Sequence, residues 1–329
     1  MSAATAARQP SSLAAVRGLF RDRPVVPLTG LLVLLVLVMA IASPGIVTPS
    51  WAGVILRTAV PLAILAGCQT LTMLTGGIDL SVGAVASMVG FVTATLIHSP
   101  GGVPEGIAVA LTAAALAGLI NGIGVGIFRV HPLIVTLGMS FIVLGFANVW
   151  QLQSVQTGAG VPDILRTIGS GRAFDVIPNS LVVFVPVVLL ILLVLRRTGY
   201  GRLLFAIGDN PVATRLSGAR SWQVLIVLYV ISALLAGIAG LVLSGATNTA
   251  SVSLADSLVL PSVAAAVIGG TSILGGRGGY GGTIVGALIL TVISALLTTL
   301  GFPEAVRQIL FGAIIVVVAA AYTRVTSEG

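Results

Sequence analysis

Long runs of apolar residues, separated by short polar segments, occupy most of the chain from residue 25 onward. Most of these runs reach the roughly 20 residues that an α-helix needs to cross a bilayer. Polar and glycine-rich residues mark where each run stops. We therefore predict about ten transmembrane helices, over residues 25–43, 52–74, 81–98, 106–128, 132–151, 179–196, 222–245, 258–274, 282–300 and 304–323.

The amino-acid composition is that of a membrane protein. Of the 329 residues, 57% are hydrophobic and 8% are charged, and the mean hydropathy is +1.15. A soluble domain has about 25% charged residues, so the composition excludes a soluble globular protein. The 41 glycines indicate close helix packing through small residues. The predicted fold class is an all-α polytopic membrane protein, with a cytoplasmic tail (1–24), a transmembrane domain (25–323) and a C-terminal tail (324–329).

The N-terminal residues allow two interpretations. Residues 1–24 are polar and precede an apolar run that ends in Ala40-Ile41-Ala42. That ending resembles the small-residue cleavage site of a secretory signal. The polar lead is long for a signal peptide, however, and the apolar run is long enough to span. We therefore predict an uncleaved first helix.

The arginines predict which loops face the cytoplasm. All 16 basic residues are arginine, and basic residues concentrate in the cytoplasmic loops of membrane proteins. With ten spans and the N-terminus in the cytoplasm, the C-terminus and residues 197–221 are also cytoplasmic. Residues 152–178 are then external, and their only arginines are Arg166 and Arg172. This topology accounts for the net charge of +7, and no nucleic-acid partner is expected. The arginines assigned to the cytoplasmic side are Arg8, Arg17, Arg21, Arg23, Arg129, Arg196, Arg197, Arg202, Arg215, Arg220, Arg277 and Arg324.

A glycine pair and a carboxylate interrupt the second and third apolar runs, at residues 76–81 (Gly-Gly-Ile-Asp-Leu-Ser). An Asp at the centre of a membrane helix costs about 2.5–3.5 kcal/mol. Irregular backbone at membrane depth is tolerated only against protein or a water-filled cavity. The stretch is therefore predicted to be a re-entrant-like segment inside a helix bundle.

A second glycine-rich segment, weakly similar to this break, occurs in the C-terminal part of the chain. Residues 269–276 contain two glycine pairs, and residues 281–287 begin the next apolar run with a third. Paired glycine-interrupted segments in two halves are a sequence pointer to a transporter repeat and its pathway. We predict a pseudo-repeat about an axis along the membrane normal, with both breaks on the same side. The candidate pathway or structural residues are Gly76, Gly77, Asp79, Ser81, Gly269 and Gly270.

Two roles are open for Asp79. Its carboxylate can cap the following helix through the amides of Ser81 and Val82, or it can contact a substrate, and the cap is the simpler role. His131 is expected to begin the fifth span, with a proton relay as the alternative. Other polar side chains can either line a path or make interhelical hydrogen bonds: Gln69, Asn121, Asn148, Gln151 and Asn248.

The longest predicted inner loop contains signals for a helix of about two turns. Asp209 or Asn210 can cap it, Pro211 fits its first position, and Gly218 fits a left-handed stop. So short a helix is not stable alone in water and needs a surface to dock on. It can dock on another protein or lie on its own bundle, and the sequence leaves both open. Its apolar face would consist of Val212, Ala213 and Leu216.

Catalytic and metal-binding patterns are missing from the sequence. There is no Ser-His-Asp arrangement, no HExxH and no GxxxxGK[ST] phosphate-binding loop, and the absence of lysine excludes a Walker lysine. One cysteine and two histidines, far apart, give no metal-ligand spacing. We expect a chain that is not an enzyme and that binds no metal or cofactor itself.

Four motifs resemble those of ribose-type ABC sugar permeases, the second carbohydrate-uptake transporter family within the branched-chain amino acid/sugar permease superfamily. They are residues 74–83 (Leu-Thr-Gly-Gly-Ile-Asp-Leu-Ser-Val-Gly), 131–139, 208–218 and 269–278. Their order and spacing match the family across about residues 50–322. The resemblance implies a ten-helix permease subunit for a small sugar, ribose-like or another monosaccharide, in the bacterial inner membrane.

The same resemblance implies partners. They are a second permease subunit (identical or different), a tandem-cassette ATPase that binds ATP and magnesium, a periplasmic or lipid-anchored sugar-binding protein, and membrane lipid. Two residues depart from the family, because Val212 stands where Glu is common and Thr214 where Ala is common. The segment that the resemblance assigns to coupling with the ATPase is Gly208, Asp209, Asn210, Pro211, Val212, Ala213, Thr214, Arg215, Leu216, Ser217 and Gly218.

The alternative function is a secondary transporter or a channel for a small polar solute. Proton coupling in such a carrier favours paired acids or histidines at mid-depth, whereas Asp79 stands nearly alone. A secondary carrier also has no need of a docking helix in its inner loop. Both features favour the importer.

Overall fold

The structure is a computed structural model that describes residues 25–97, 99, 101–154, 160–174 and 176–327. The predicted tail at residues 1–24, with its four arginines, lies outside these residues. The described part folds into thirteen α-helices and one short hairpin. The helices are α1 (Val25–Ala42), α2 (Pro49–Leu74), α3 (Val82–Thr95), α4 (Gly102–Gly126), α5 (Pro132–Ser154), α6 (Asp163–Gly169), α7 (Leu181–Arg197), α8 (Gly199–Asp209), α9 (Pro211–Leu216), α10 (Ser221–Thr247), α11 (Val259–Ile268), α12 (Tyr280–Thr299) and α13 (Glu304–Ser327). The hairpin pairs β1 (Arg172–Ala173) with β2 (Ile177–Pro178), and a 3₁₀ turn (Asp256–Leu258) precedes α11.

Every predicted apolar segment contains a helix, which confirms a helical protein with several membrane spans. Among the described residues, six helices are long and apolar enough to cross a membrane: α1, α2, α4, α5, α10 and α12. A seventh span is possible if α7 and α8, which meet at an angle of 70°, are taken together. Helices α3 and α11 have 14 and 10 residues, too few for a straight crossing. The count of ten spans stays a prediction.

Helix α10 is the centre of the bundle, where it packs against α2, α3, α4 and α6. All 14 residues of α3 are buried, as is every residue of α2 from Ala59 to Leu74. A helix that is apolar on all sides belongs in such an interior, and α3 (VGAVASMVGFVTAT) has no charged residue. The core is therefore formed by α2, α3 and α10, with the other helices around them.

Glycines allow α4 to lie directly against α10. Gly118, Gly122 and Gly126 recur at four-residue spacing and line one face of α4. A Cβ added at Gly122 would lie 2.6 Å from the Cα of Ile226, and one at Gly126 would lie 2.9 Å from the Trp222 carbonyl oxygen. Small residues at this spacing bring membrane helices into backbone contact, and α4 and α10 form the most extensive helix pair of the described chain.

The outer helices present apolar side chains away from the protein. Leu37 and Ile41 of α1 are 55% and 80% exposed, and Phe141 and Ile142 of α5 are 67% and 63% exposed. Contiguous exposed apolar surface of this kind is unfavourable in water and suits the hydrocarbon of a bilayer.

The two helix breaks join helices of different lengths. The first break follows the 26-residue α2 and precedes the 14-residue α3, whereas the second follows the 10-residue α11 and precedes the 20-residue α12. The two segments are therefore alike in their glycine pairs and differ in the lengths of the flanking helices, and the pseudo-repeat stays a prediction.

The packing of α4 on α10 predicts the effect of one added methyl group. We expect Gly122→Ala to lower the thermal midpoint of the detergent-solubilised protein, because overpacking costs about 1–3 kcal/mol. Gly145→Ala in α5 is the matched control, since an added Cβ there meets nothing within 4 Å. Equal midpoints for the two variants would contradict a backbone contact between α4 and α10.

Candidate functional site

The first helix break connects α2 to α3 and turns on two glycines with different roles. Gly76 has φ +80°, in the left-handed region that favours glycine. Gly77 is buried, and a Cβ added there would lie 2.9 Å from the Tyr229 hydroxyl and 3.1 Å from Cβ of Pro132. The first glycine supplies the conformation of the turn, and the second supplies space beside α5 and α10.

The carboxylate of Asp79 is buried in this break, with 1% of the residue exposed. One oxygen, Oδ1, accepts from the amide of Ser81 at 3.0 Å and from its hydroxyl at 2.6 Å. The other, Oδ2, accepts from the hydroxyl of Ser232 in α10 at 2.9 Å. The sequence predicted bonds to the amides of Ser81 and Val82, and only the first is found. The carboxylate therefore fixes Ser81, the residue directly before α3, and ties it to α10.

Two side chains from other helices satisfy the backbone around Asp79. The Nε2 of Gln69 donates to the Asp79 carbonyl at 2.7 Å, and the Asp79 amide donates to Oε1 of Gln69 at 3.2 Å. The hydroxyl of Thr136 in α5 accepts from the Leu80 amide at 3.1 Å and donates to the Ile78 carbonyl at 3.2 Å. An unpaired backbone group costs several kcal/mol in hydrocarbon, so these bonds are what allows the irregular segment to remain buried.

Only some of the polar residues selected from the sequence join this cluster. Asn121 of α4 donates from Nδ2 to the Ser81 hydroxyl at 2.9 Å. Gln69 and Asn121 thus lie with Asp79, whereas Asn148, Gln151 and Asn248 are exposed elsewhere. His131 is exposed where α5 begins, and its Nδ1 accepts from the Leu133 amide at 3.3 Å. That position agrees with the start of a span rather than with an intramembrane proton relay.

The cluster has the chemistry of a structural site more than of a ligand site. Each carboxylate oxygen of Asp79 is engaged by a neutral donor of the protein itself. The described part of the chain has no group of three or more His, Cys, Asp or Glu residues that could hold a metal ion. The bonds favour the capping role of Asp79 over direct contact with a substrate.

The two glycine breaks and the inner loop meet at one point, which we call the glycine junction (Leu74, Gly208, Gly275 and Gly276). The Gly276 amide donates to the Leu74 carbonyl at 3.0 Å. Gly208 at the end of α8 fits between them, because an added Cβ would overlap that carbonyl and lie 2.5 Å from the Gly276 nitrogen. Gly275 and Gly276 both have positive φ, at +94° and +72°. Both breaks therefore lie at the same end of the bundle, as predicted.

The other glycines of the second break hold α11 to α12. A Cβ added at Gly269 would lie 2.5 Å from the Gly282 carbonyl carbon, and Gly270 has φ +89°. The six candidate pathway residues thus fall into two groups. Gly76, Gly77, Asp79 and Ser81 form the first break, and Gly269 and Gly270 close the second.

The short helix predicted in the inner loop is present as α9. Asn210 is its cap, and its Oδ1 accepts from the amides of Val212 at 3.1 Å and Ala213 at 2.9 Å. Pro211 occupies the first helical position, and Gly218 follows the helix with φ +85°. These features confirm the local signals and assign the cap to Asn210, because Asp209 is the last residue of α8.

Helix α9 presents its apolar face away from the rest of the chain. Val212 is 56% exposed and Leu216 is 84% exposed, and Ala213 is exposed beside them. Thr214, in contrast, is buried. Its hydroxyl donates to the carbonyls of Ala206 at 2.7 Å and Asn210 at 2.8 Å, which ties α9 to α8. The helix is therefore held through Thr214, and its apolar side does not lie on its own bundle.

Two residues of the site around Asp79 could not be found from the sequence. Thr136 and Ser232 lie in apolar helices more than fifty residues from Asp79. A single hydroxyl in an apolar run gives no local signal of its partner, because threonine and serine are common in membrane helices.

The hydrogen bonds of Asp79 predict how substitutions act. Asp79→Asn keeps Oδ1 for Ser81, so a thermal midpoint and transport activity near those of the wild type are expected. Asp79→Leu leaves the Ser81 amide and the Ser232 hydroxyl unpaired, at about 1–3 kcal/mol each, and the midpoint should fall. For both variants, the thermal midpoint is measured by unfolding in detergent, and transport activity is measured as sugar uptake by cells. A stable Asp79→Asn protein that has lost transport would show that the charge itself is used.

Comparison with known proteins finds relatives that match most of the chain, among them permeases that are named for sugars. The fructose import permease protein FrcC of Rhizobium meliloti is 34% identical over 272 residues, which cover 81% of this chain and 76% of the relative. The ribose import permease protein RbsC of Escherichia coli K12 is 34% identical over 286 residues, covering 86% and 89%. The galactofuranose transporter permease protein YtfT of the same organism is 34% identical over 265 residues, covering 80% and 77%. No solved structure matches the chain significantly.

A family match agrees with these relatives and covers both glycine breaks, the inner loop and α9. It extends over residues 52–319, from the beginning of α2 into α13. The chain belongs to the family described as the permease component of the branched-chain amino acid transport system.

Proposed function

We propose that this chain is the transmembrane permease subunit of an ATP-driven ABC importer for a small sugar, ribose-like or another monosaccharide. The names of the relatives support the substrate class, since they refer to import of fructose, ribose and galactofuranose. The proposed location is the bacterial inner membrane, which the helices cross about ten times.

The observation that carries the proposal is the unpartnered apolar face of α9. A helix of six residues is not stable alone, yet Asn210 and Thr214 hold this one in place with Val212 and Leu216 exposed. In the proposed assembly this face enters a cleft of a separate tandem-cassette ATPase. The coupling segment is residues 208–218, and Val212, where the family commonly has Glu, contributes an apolar contact.

Energy for transport would come from the partner. The chain contains no lysine for a phosphate-binding loop, so ATP and magnesium belong on the ATPase. The remaining proposed partners are a second permease subunit, identical or different, and a periplasmic or lipid-anchored sugar-binding protein that selects the sugar. The translocation path would lie between the two permease subunits.

The glycine junction suggests how α9 can act on the path. Gly208 touches the end of α2 and the second break through backbone atoms, with no flexible side chain between. When the cassettes close and displace α9, the ends of α2 and α12 would move with it. The displaced ends would switch access of the path from the outside to the cytoplasm.

The positions of the arginines support the proposed orientation. Arg129, Arg215 and Arg220 surround one pocket beside α9. At the opposite end, Arg57 donates to the Ser170 carbonyl at 3.3 Å and Arg166 pairs with Asp163 at 3.4 Å. The end with α9 is the richer in unpaired arginines, as the cytoplasmic side of a membrane protein usually is.

Cysteine labelling tests this orientation. In a Cys68→Ser background, Ser170→Cys should react with a membrane-impermeant thiol reagent in intact cells, whereas Ser217→Cys should react only after permeabilisation. Ser217 is exposed and Ser170 is half-buried, so lack of labelling at Ser217 in intact cells would not be due to burial in the protein. Reversed labelling would contradict the topology while leaving family membership intact.

Substitution of α9 tests the coupling role. We expect Ala213→Arg to preserve membrane abundance but to lower both recovery of the ATPase in pull-down and sugar uptake by about tenfold or more, because a cleft has little room for a large charged side chain. Ala173→Arg is the matched control, since Ala173 is exposed in the hairpin at the opposite end. Normal ATPase recovery and normal uptake with Ala213→Arg would overturn the assignment of α9.

A further inference from the structure

A surface pocket of about 600 Å³ lies beside α9. Its walls come from the end of α4, from Ile207 of α8, from α9, and from the beginning of α10 with the residues before it. The apolar docking face proposed for α9, Val212, Ala213 and Leu216, does not line this pocket, whereas Pro211 and Arg215 on the other side of the same helix do.

The polar side of the pocket is strongly positive. Arg129, Arg215 and Arg220 line it, and no acidic residue does. The two ion pairs found among the described residues use Arg166 and Arg307, so the three arginines keep their charges free of protein carboxylates. Three guanidinium groups around one cavity are suited to binding an anion, because guanidinium binds phosphate and carboxylate with paired hydrogen bonds.

The other side of the pocket is apolar. Ile127, Trp222 and Leu225 contribute to it. Helices α4 and α10 are candidate membrane spans that end and begin here, so the pocket opens at the level where hydrocarbon gives way to water. Trp222 is 44% exposed in the position that tryptophan favours at membrane interfaces.

We propose that this pocket binds one anionic phospholipid, with the phosphate-bearing headgroup between the three arginines and the first part of an acyl chain along the apolar wall. A free phosphate would use the charges but leave the apolar wall exposed. A zwitterionic lipid would cover the wall but carry no net charge for the arginines. Basic pockets at the cytoplasmic ends of membrane helices are suited to such headgroups.

A lipid in this position would join α4 and α10 to α9. Arg215 belongs to α9, whereas Arg129 follows α4 and Arg220 precedes α10. One phosphate held by all three would restrict the movement of α9 relative to the bundle. This inference depends on the chain being embedded in a membrane and is independent of what the chain transports.

Fluorescence quenching of Trp222 provides the test. The full-length protein with Trp51→Phe and Trp150→Phe, which leaves Trp222 as its only tryptophan, is reconstituted in phosphatidylcholine vesicles containing acyl-brominated phosphatidylglycerol or acyl-brominated phosphatidylcholine. Brominated phosphatidylglycerol should quench at a mole fraction on the order of a hundredfold lower, since each of the three arginines contributes about fivefold in affinity for an anionic lipid. Equal quenching by the two lipids would overturn the proposal.

Two variants with the same loss of charge separate the pocket from general surface attraction. Arg129→Gln/Arg215→Gln/Arg220→Gln should lose the preference for phosphatidylglycerol. Arg196→Gln/Arg197→Gln/Arg202→Gln, at the same end but outside the pocket, should keep it. An equal decrease in both variants would show that the preference is not located in the pocket.

Two further outcomes identify other occupants. Inorganic phosphate at constant ionic strength should not abolish the preference, and if it does, the site binds a free anion rather than a lipid. If the pocket variant retains the lipid preference but loses ATPase in pull-down, the arginines contact the partner protein, and the lipid proposal is wrong. Gel filtration of each variant confirms that it is folded before quenching is compared.

Discussion

A helix that breaks inside a membrane must find partners for the backbone groups that it leaves unpaired, because hydrocarbon offers none. At the first break, Gln69 and Thr136 supply them for residues 78–80, and the carboxylate of Asp79 binds Ser81 and Ser232. The partners come from α2, α5 and α10, so the break also fixes the relative positions of these helices. Helix α3 starts at Val82, directly after Ser81, so the same bonds hold its first turn in the interior.

Glycine allows a second kind of contact in which backbone meets backbone. Gly122 brings α4 onto α10, and Gly208 brings the end of α8 onto Leu74 and Gly276. Such contacts have no rotatable side chain to absorb a displacement. These close backbone contacts extend from the interior of the bundle to the end of α8, directly before α9. Helix α9 is held by Thr214 and has its apolar face outward. The arrangement suits an element that receives force from a partner and passes it inward.

Local features of this fold could be predicted from sequence, and long-range ones could not. Asn210, Pro211 and Gly218 specify α9 by capping and stop rules that act within a few residues. The lengths of α3 and α11 were overestimated, because apolar residues continue past Thr95 and Ile268 into irregular backbone. The bond from Ser232 to the Asp79 carboxylate and the bonds of Thr136 to Ile78 and Leu80 were missed, since the sequence does not display the helix packing that brings these residues together.

The glycine junction also has a consequence for biogenesis. Leu74, Gly208 and Gly276 are far apart in the chain, so their contact can form only after Gly276 has been synthesised and α11 inserted. Until then the Leu74 carbonyl at the end of α2 lacks its native partner and must be hydrated. The early helices are therefore placed in the bilayer before the inner loop acquires its final position. A nascent chain released before Gly276 would carry α9 bound to α8 through Thr214, but without the contact of Gly208 to the second break.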